Sequence, residues 1–296
     1  MALRADEASM LDLASRASKL YRVAQKITKD DGTIRVTYDA FKPLKDVHRL
    51  IKSEILDRVT FPDYLTGSLK GKDYKTNAAL HKGAKIVISE DIGTFFPATT
   101  TAIVFDIWRN FFGFSDAVAR CLTQLTSRNN ELPQGAITSP QLANLVFWRD
   151  EPKLHATLAE KGIVYSRFVD DVAASSRSHM ETTRKTETIA SIYAMMGRRG
   201  YAPKRKKHEI ATAGSRMVVT KLTVNERPGL AKAERSRIRA AVHALERDVS
   251  FSKSANSLEA RIPKVVGKVS TLGRFHPGKA NTLKKRLAVV RLIIGG

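Results

Sequence analysis

The stretch YSRFVDDVAASS, residues 165–176, sets two carboxylates, Asp170 and Asp171, side by side in an otherwise strand-like run. Adjacent like charges repel, so a half-buried strand gains nothing from holding them. Ile163–Phe168 and Val172–Ala174 read as two short strands, which puts both acids at the tip of a tight hairpin. A third acid, Asp91, follows the apolar strand Lys85–Ser89 in KIVISED, residues 85–91. Its neighbour Glu90 faces the other side if that strand continues. Magnesium takes one or two carboxylates together with substrate phosphates. Two such ions, ~3.5–4 Å apart, stabilise the attacking and leaving oxygens of phosphoryl transfer. Acids at neighbouring strand ends therefore point to a two-metal nucleotidyl transferase. An Asp-Asp pair also serves as a plain turn, because aspartate favours turns.

The charge balance bears on that choice. The chain of 296 residues carries a formal net charge of +22 with 43% hydrophobic residues. That apolar content is globular, and the length suits one large domain or two to three subdomains. A one-signed excess of this size costs stability through self-repulsion and points to a nucleic-acid partner ahead of an anionic membrane. No apolar run approaches the ~20 residues that span a bilayer. The opening MALRADEASMLDLASRASKLY reads as an amphipathic helix, without the apolar core and cleavage site of a signal peptide. The single cysteine, Cys121, allows no internal disulfide, which fits the cytoplasm. It reads as a small buried apolar residue of a helix.

The remaining elements follow from periodicity and punctuation. Thr28–Tyr38 reads as strands around a turn at Asp31-Gly32. Lys45–Leu56 is an amphipathic helix with Val47, Leu50, Ile51 and Ile55 on one face. Pro97–Phe112 and Ser115–Ser127 read as helices, the second capped by Ser115. Ser139-Pro140 opens another helix, with Ser139 as its cap, and Gly162 ends that region. Ser178-x-x-Glu181 reads as a capping box before a helix ending near Gly200. Met217–Val224 reads as one strand, and the chain after Leu230 is helical and basic. Helices among a few strands, then a helical tail, make an α+β core with a helical appendage.

Between Asp91 and the aspartate pair lies ELPQGAITSPQLANLVFW, residues 131–148. Gly135 permits close backbone approach to a ligand, and Gln134 places an amide beside it. SEDIGTFFP, LPQG and YSRFVDD, in this order and spacing, resemble motifs A, B and C of the reverse transcriptases. The resemblance covers residues 27–226 and extends more loosely into the tail. It implies a right-hand polymerase: fingers over 1–85, a palm of small antiparallel sheet plus helices with inserted fingers helices over 86–226, and a basic helical thumb over 227–296.

The resemblance also implies roles. Asp91 and Asp170 match the ligands of two Mg2+ ions, with the Ile92 carbonyl assisting, and Asp171 matches the acid near the primer end. Phe96 matches the aromatic that blocks a ribose 2′-OH; core packing is its other reading. Thr94 and Phe95 match positions whose backbone meets the triphosphate of a deoxynucleotide, and Gln134 matches the residue lying against that nucleotide. Lys29 and Arg35, in KDDGTIR, match basic fingers residues that grip phosphates, or are simply solvated. Lys206, in APKRKKHEI, falls where the family places a lysine that protonates pyrophosphate, or in a solvated basic loop.

NAALH at Asn77–His81, ten residues before Asp91, resembles the NAxxH marker of retron reverse transcriptases; taken alone, His81 reads as a structural or capping histidine. The retron VTG marker has its counterpart in Val219-Thr220-Lys221, with lysine in place of glycine. Phe168-Val169 stands where retrons commonly have Tyr-Ala, and Ile137 where they commonly have Pro. In the tail, Ile238, Val242 and Leu245 share one helical face, with Arg235, Arg237, Arg239 and Arg247 around the rest. This face pattern suits a thumb holding duplex through its phosphates, with Arg235 and Arg239 as RNA contacts, or basics that are merely exposed. The retron resemblance implies an RNA-directed DNA polymerase acting on a structured noncoding RNA. That RNA supplies the template and a priming 2′-OH, and a DNA product and an effector or toxin protein join it in antiphage defence. Another bacterial defence reverse transcriptase and a noncatalytic RNA scaffold for an effector are the alternatives.

Overall fold

The computed structural model describes residues 6–28, 32–250, 258 and 260–295. The chain opens with α1 (Glu7–Arg16), capped by the Asp6 carboxylate on the Ser9 amide. A two-stranded ribbon follows, β1 (Tyr21–Thr28) and β2 (Ile34–Ala40), antiparallel with an irregularity between Val23 and Gln25. Next come α2 (Lys42–Glu54), which buries Leu44, His48 and Ile51, and α3 (Tyr74–Leu80), closed at its start by a capping box between Asp73 and Thr76. β3 (Ile86–Asp91) leads into α4 (Phe95–Ala98), α5 (Thr101–Asp106) and α6 (Asp116–Thr126). α7 (Ser139–Leu145) and α8 (Glu151–Glu160) precede β4 (Val164–Phe168) and β5 (Asp171–Ser176). α9 (Thr182–Arg198), β6 (Glu209–Thr212), β7 (Val218–Val219) and β8 (Leu222–Thr223) complete the α+β part. Among the described residues three long helices follow: α10 (Lys232–Ser250), α11 (Ile262–Phe275) and α12 (Pro277–Gly295).

The central sheet runs β4-β5-β3-β6, all antiparallel. β3 and β5 are buried along most of their length because helices cover them, which explains their apolar runs. The main core gathers Ile88, Ile92, Trp108, Leu125, Phe147 and Met196 from these layers. Separately, Ile238, Val242 and Leu245 of α10 pack against α11 and α12 around Val269, Leu272 and Leu283. A third cluster joins the two regions: Ala78, Val87, Ala173, Val219 and Leu222 pack with Phe275 from the end of α11. This is a right-hand polymerase architecture, a sheet-and-helix palm with a helical tail. No helix among the described residues is long and apolar enough to cross a membrane.

Four local expectations are corrected. Pro97–Phe112 is not one helix: it starts at Phe95, and Thr100 turns extended (ψ 162°) before α5, which ends in a π-helical turn at Ile107–Phe111. Ser139 does not cap α7; Thr138 holds the cap position, and the Ser139 hydroxyl donates to the Pro133 carbonyl at 2.7 Å. The Ser178/Glu181 capping box does not form, because the Ser178 amide is engaged by the Ser176 hydroxyl at 3.1 Å and Glu181 itself takes the cap position. Met217–Val224 is a hairpin rather than one strand: Val218 pairs with Thr223 and Val219 with Leu222. Cys121 is half-buried.

That hairpin turns on Thr220 and Lys221, both at positive φ, 44° and 70°. Paired positive φ is the pattern of a type I′ turn, which favours glycine. Lys221→Gly is therefore expected to stabilise the protein by about 1 kcal/mol, since a side chain in the left-handed region costs roughly 1–2 kcal/mol. Urea unfolding checks it: the midpoint should rise at unchanged slope.

Candidate active site

The register of β3 on β5 sets Asp91 opposite Asp171. β4 and β5 close on Phe168 and Asp171, which leaves Val169-Asp170 as a two-residue turn. Across the sheet, the Ile92 amide donates to the Asp170 carbonyl at 2.9 Å, so the β3 end and the turn are locked together. Asp91, Asp170, Asp171 and Ile92 thus meet at one end of the sheet. Glu90 faces away, where the Tyr193 hydroxyl donates to it at 2.9 Å and His208 Nδ1 lies 2.6 Å from its other oxygen.

Crowding shows in the proton equilibria. Burial, with the nearby Asp91 charge, raises the Asp170 carboxyl above its ordinary value. Although Asp171 is exposed at the strand end, desolvation by the groups packed around its carboxyl and the charges of Asp170 and Asp91 push it up to about 6. Lys207 answers these charges by donating to Asp91 Oδ2. Burial works against the Lys207 charge, but the Asp91 bond and the other two aspartates outweigh it and raise its pKa. Lys207 and Arg35, the latter exposed on β2, partly offset the rise at the Asp170 carboxyl.

The other expected residues are distributed around this end. Thr94 is exposed with φ 46° and precedes α4. Phe95 turns into the core at 3% exposed, against Tyr201, whereas Phe96 is half-buried beside it with ring centroids 5.6 Å apart. The Gln134 carbonyl accepts from the Tyr38 amide at 2.8 Å, which joins the loop before α7 to β2. Gly135 has φ 103°, and a Cβ there would stand 2.8 Å from the Tyr38 carbonyl. Its backbone thus lies close against β2. Lys206 is exposed on the turn Arg205–Lys207, and Lys207 is the one that reaches Asp91. Lys29 lies outside the described residues. Arg235 is half-buried and Arg239 exposed on α10, which packs on α11 and α12 rather than at the carboxylates.

Three site residues escaped the sequence reading. Lys207 is one; its signal, four consecutive basic residues from Lys204 to Lys207, does not say which faces inward. Gly67 is the second: a Cβ there would lie 2.5 Å from the Val169 amide, so only glycine lets the chain run this close to the aspartate turn. Arg167 is the third, and its place inside an apolar strand was the available signal.

His81 has a definite structural place. It is 1% exposed, with Nδ1 2.7 Å from the Ser175 hydroxyl and Nε2 2.7 Å from the Ser166 hydroxyl. It therefore bridges β4 and β5, the two strands that carry the aspartate turn. Asn77 accepts from the Thr66 hydroxyl at 2.7 Å and reaches Thr220 at 3.5 Å. The NAALH segment and the Val219-Thr220-Lys221 turn are thereby in contact.

The donor set suits a hard divalent cation. Carboxylate oxygens that repel one another gain from a shared positive charge, and magnesium needs only one or two of them, with phosphates and water completing its shell. No group of three or more His, Cys, Asp or Glu among the described residues forms a protein-only metal cage.

The model of the reverse transcriptase (RNA-dependent DNA polymerase) family matches residues 27–243. The retron Se72 reverse transcriptase of Salmonella heidelberg (strain 579083-10) is 30% identical over 282 residues, covering 94% of this chain and 74% of that protein. The retron Ec86 reverse transcriptase of Escherichia coli is 27% identical over 226 residues, covering 76% of this chain and 69% of that protein. Among solved structures, telomerase from Candida albicans in complex with the TWJ fragment of telomeric RNA is similar at a TM-score of 0.49 and 10% identity, over 93% of this chain and 58% of that one.

Burial lowers the His81 pKa to about 4, so the imidazole is neutral in the folded state. A depressed value means that the unfolded chain binds the proton first: the histidine's contribution is full above its unfolded pKa, roughly 6.5, and declines as pH falls. His81→Leu strands two buried hydroxyls and is expected to cost about 2 kcal/mol or more at pH 7.5. The stability gap between wild type and His81→Leu should then narrow between about pH 6.5 and 4, by up to ~1.4 kcal/mol per unit. Urea unfolding of both proteins across this range is the measurement; a constant gap would contradict a neutral buried imidazole.

Proposed function

The chain belongs to the reverse transcriptase family and is of the retron type, an RNA-directed DNA polymerase, and on that premise we propose that it copies a structured noncoding RNA primed from a 2′-OH. The observation that carries the catalytic reading is the register that sets Asp91 against Asp171 with Asp170 in the adjoining turn. The family works with divalent metal ions; we assign two Mg2+ to Asp91, Asp170 and the Ile92 carbonyl, with Asp171 toward the primer end. Bound there, the ions supply charge stabilisation for the attacking and leaving oxygens of nucleotidyl transfer.

The chain's own residues do the rest of the work in this reading. Thr94 and Phe95 offer backbone to the triphosphate at the start of α4. Phe96, only half-buried, is free to stand under the sugar and exclude a 2′-OH. Gln134, held through its carbonyl by β2, lies against the incoming nucleotide. Arg35, with Lys29 six residues before it, grips phosphate, and Lys206 serves the departing pyrophosphate. Lys207 keeps Asp91 neutralised and oriented. The proposed domains are fingers over 1–85, palm over 86–226 and thumb over 227–296; the separate apolar cluster of α10, α11 and α12 supports the last boundary. Arg235 and Arg239 are proposed RNA contacts on that thumb. We place the protein in the cytoplasm, in antiphage defence with an effector protein.

Asp91→Asn and Asp170→Asn should each reduce primer extension on an RNA template with magnesium by on the order of 10³-fold, with the fold intact. Near-normal extension by either folded variant would sink the catalytic assignment.

Specific RNA recognition predicts a second outcome. Phosphate contacts alone bind any RNA and weaken steeply with salt, whereas contacts to a shaped loop persist. Sequencing of nucleic acid retained at moderate salt should return one RNA species, joined to DNA through a 2′–5′ branch. Heterogeneous RNA, with DNA begun from ordinary 3′ ends, would point to another kind of defence reverse transcriptase.

A further inference from the structure

Arg167 sits in β4, three residues before Asp170, with its side chain at 0% exposure. A guanidinium is tolerated in such a place only when its charge is paired and its N–H groups are bonded. It has five N–H donors in one plane, and five acceptors meet them. Nε donates to Glu151 Oε1 at 2.6 Å and Nη2 to Glu151 Oε2 at 2.8 Å. Nη2 also donates to the Asn144 carbonyl at 2.9 Å. Nη1 donates to the Ala143 carbonyl at 3.3 Å and to the Val169 carbonyl at 3.1 Å.

These acceptors come from three separate elements. Ala143 and Asn144 lie in the last turn of α7, where carbonyls lack partners within the helix. Glu151 opens α8 and is also bonded by the Tyr165 hydroxyl at 2.8 Å. Val169 is the first residue of the aspartate turn, with φ 61°. A β-branched residue in the left-handed region is strained and persists only where its surroundings hold it. Gly67 closes the turn from one side, and the Arg167 guanidinium holds its carbonyl from within.

We propose that Arg167 is a positioning residue for polymerisation. It fixes the left-handed turn that aims Asp170, and it ties that turn to α7, the helix that follows Gln134 and Gly135. The distance between the metal-holding acids and the nucleotide-facing loop is thereby set by one rigid planar group. This inference rests on the reading of Asp91, Asp170 and Asp171 as the metal-holding set. The competing account is that Arg167 only neutralises buried Glu151.

The two accounts separate in metal dependence. Arg167→Lys keeps the charge but offers three donors from a single point, which cannot serve three elements. The expected result is a kcat lowered by about 10²-fold, in the range of a 1 Å misplacement. The Mg2+ midpoint for extension should rise severalfold, while template-primer Kd stays unchanged. Arg167→Met combined with Glu151→Leu removes both buried charges, a change that preserves folding in other buried pairs. It lacks the Val169 bond, so it should share the low kcat and the raised Mg2+ midpoint, and it carries the test if the lysine variant does not fold. Wild-type kcat and Mg2+ midpoint in the double variant would overturn the inference and leave Arg167 as a neutraliser. Asp170→Asn, measured alongside, keeps the two readings apart. If it extends normally, the metal assignment falls and this inference with it; if it is inactive while the double variant is normal, only this inference falls.

Discussion

The mutual repulsion of Asp91, Asp170 and Asp171 is the constraint that the surrounding structure answers. Left to itself, such a cluster would spread apart or take up protons, and Asp171 already lies well above an ordinary carboxylate. Backbone pairing prevents the spreading. Register opposes Asp91 and Asp171, and the Ile92 amide closes on the Asp170 carbonyl. Side chains then secure the hairpin from several directions: His81 across its strands, Arg167 inside its turn and Lys207 on its charge. The binding energy of a packed palm is thus partly used to hold a locally unfavourable charge arrangement, as functional sites commonly require.

α3 links this hairpin to the helical tail. At its start, Asp73 caps the helix and also takes the Arg274 guanidinium from α11, which lies over the Tyr74 ring at 5.2 Å. In its middle, Asn77 holds Thr66, one residue before the glycine that lies against the aspartate turn. Just past its end, His81 bridges the two strands. A helix of two turns therefore touches the tail, the turn and the strands under the turn. This gives the NAALH pattern a physical content that its spacing alone does not reveal.

Much of this was legible from residue order. The acids, the strands beneath them and the apolar face of Ile238, Val242 and Leu245 follow from local periodicity, and the buried clusters agree with them. What local pattern missed was decided by contacts distant in sequence. Ser139 resembles a cap by every local criterion, yet the Pro133 carbonyl claims its hydroxyl. Gly135 gives no local sign that its backbone lies against a strand almost a hundred residues earlier. Among Lys204, Arg205, Lys206 and Lys207, only the tight turn at Arg205–Lys207 decides which side chain reaches Asp91. A pair such as Arg167 and Glu151 is legible only as one charge inside a strand and another in the charged run Arg149–Lys153, with no indication that they meet.

The bond between the Tyr38 amide and the Gln134 carbonyl has a mechanical consequence. It clamps the base of the β1–β2 ribbon to the loop before α7, and Gly135 lets the two backbones touch there. From Tyr38 to Ile34 the strand runs on for about 13 Å, at roughly 3.3 Å per residue, paired with β1. The irregularity at Val23–Gln25 lies opposite this clamp, because Val23 pairs with Tyr38 and Gln25 with Thr37. The irregularity and the clamp therefore fall at the same level of the ribbon, so the strand that carries Arg35 is referenced to the same loop that holds Gln134.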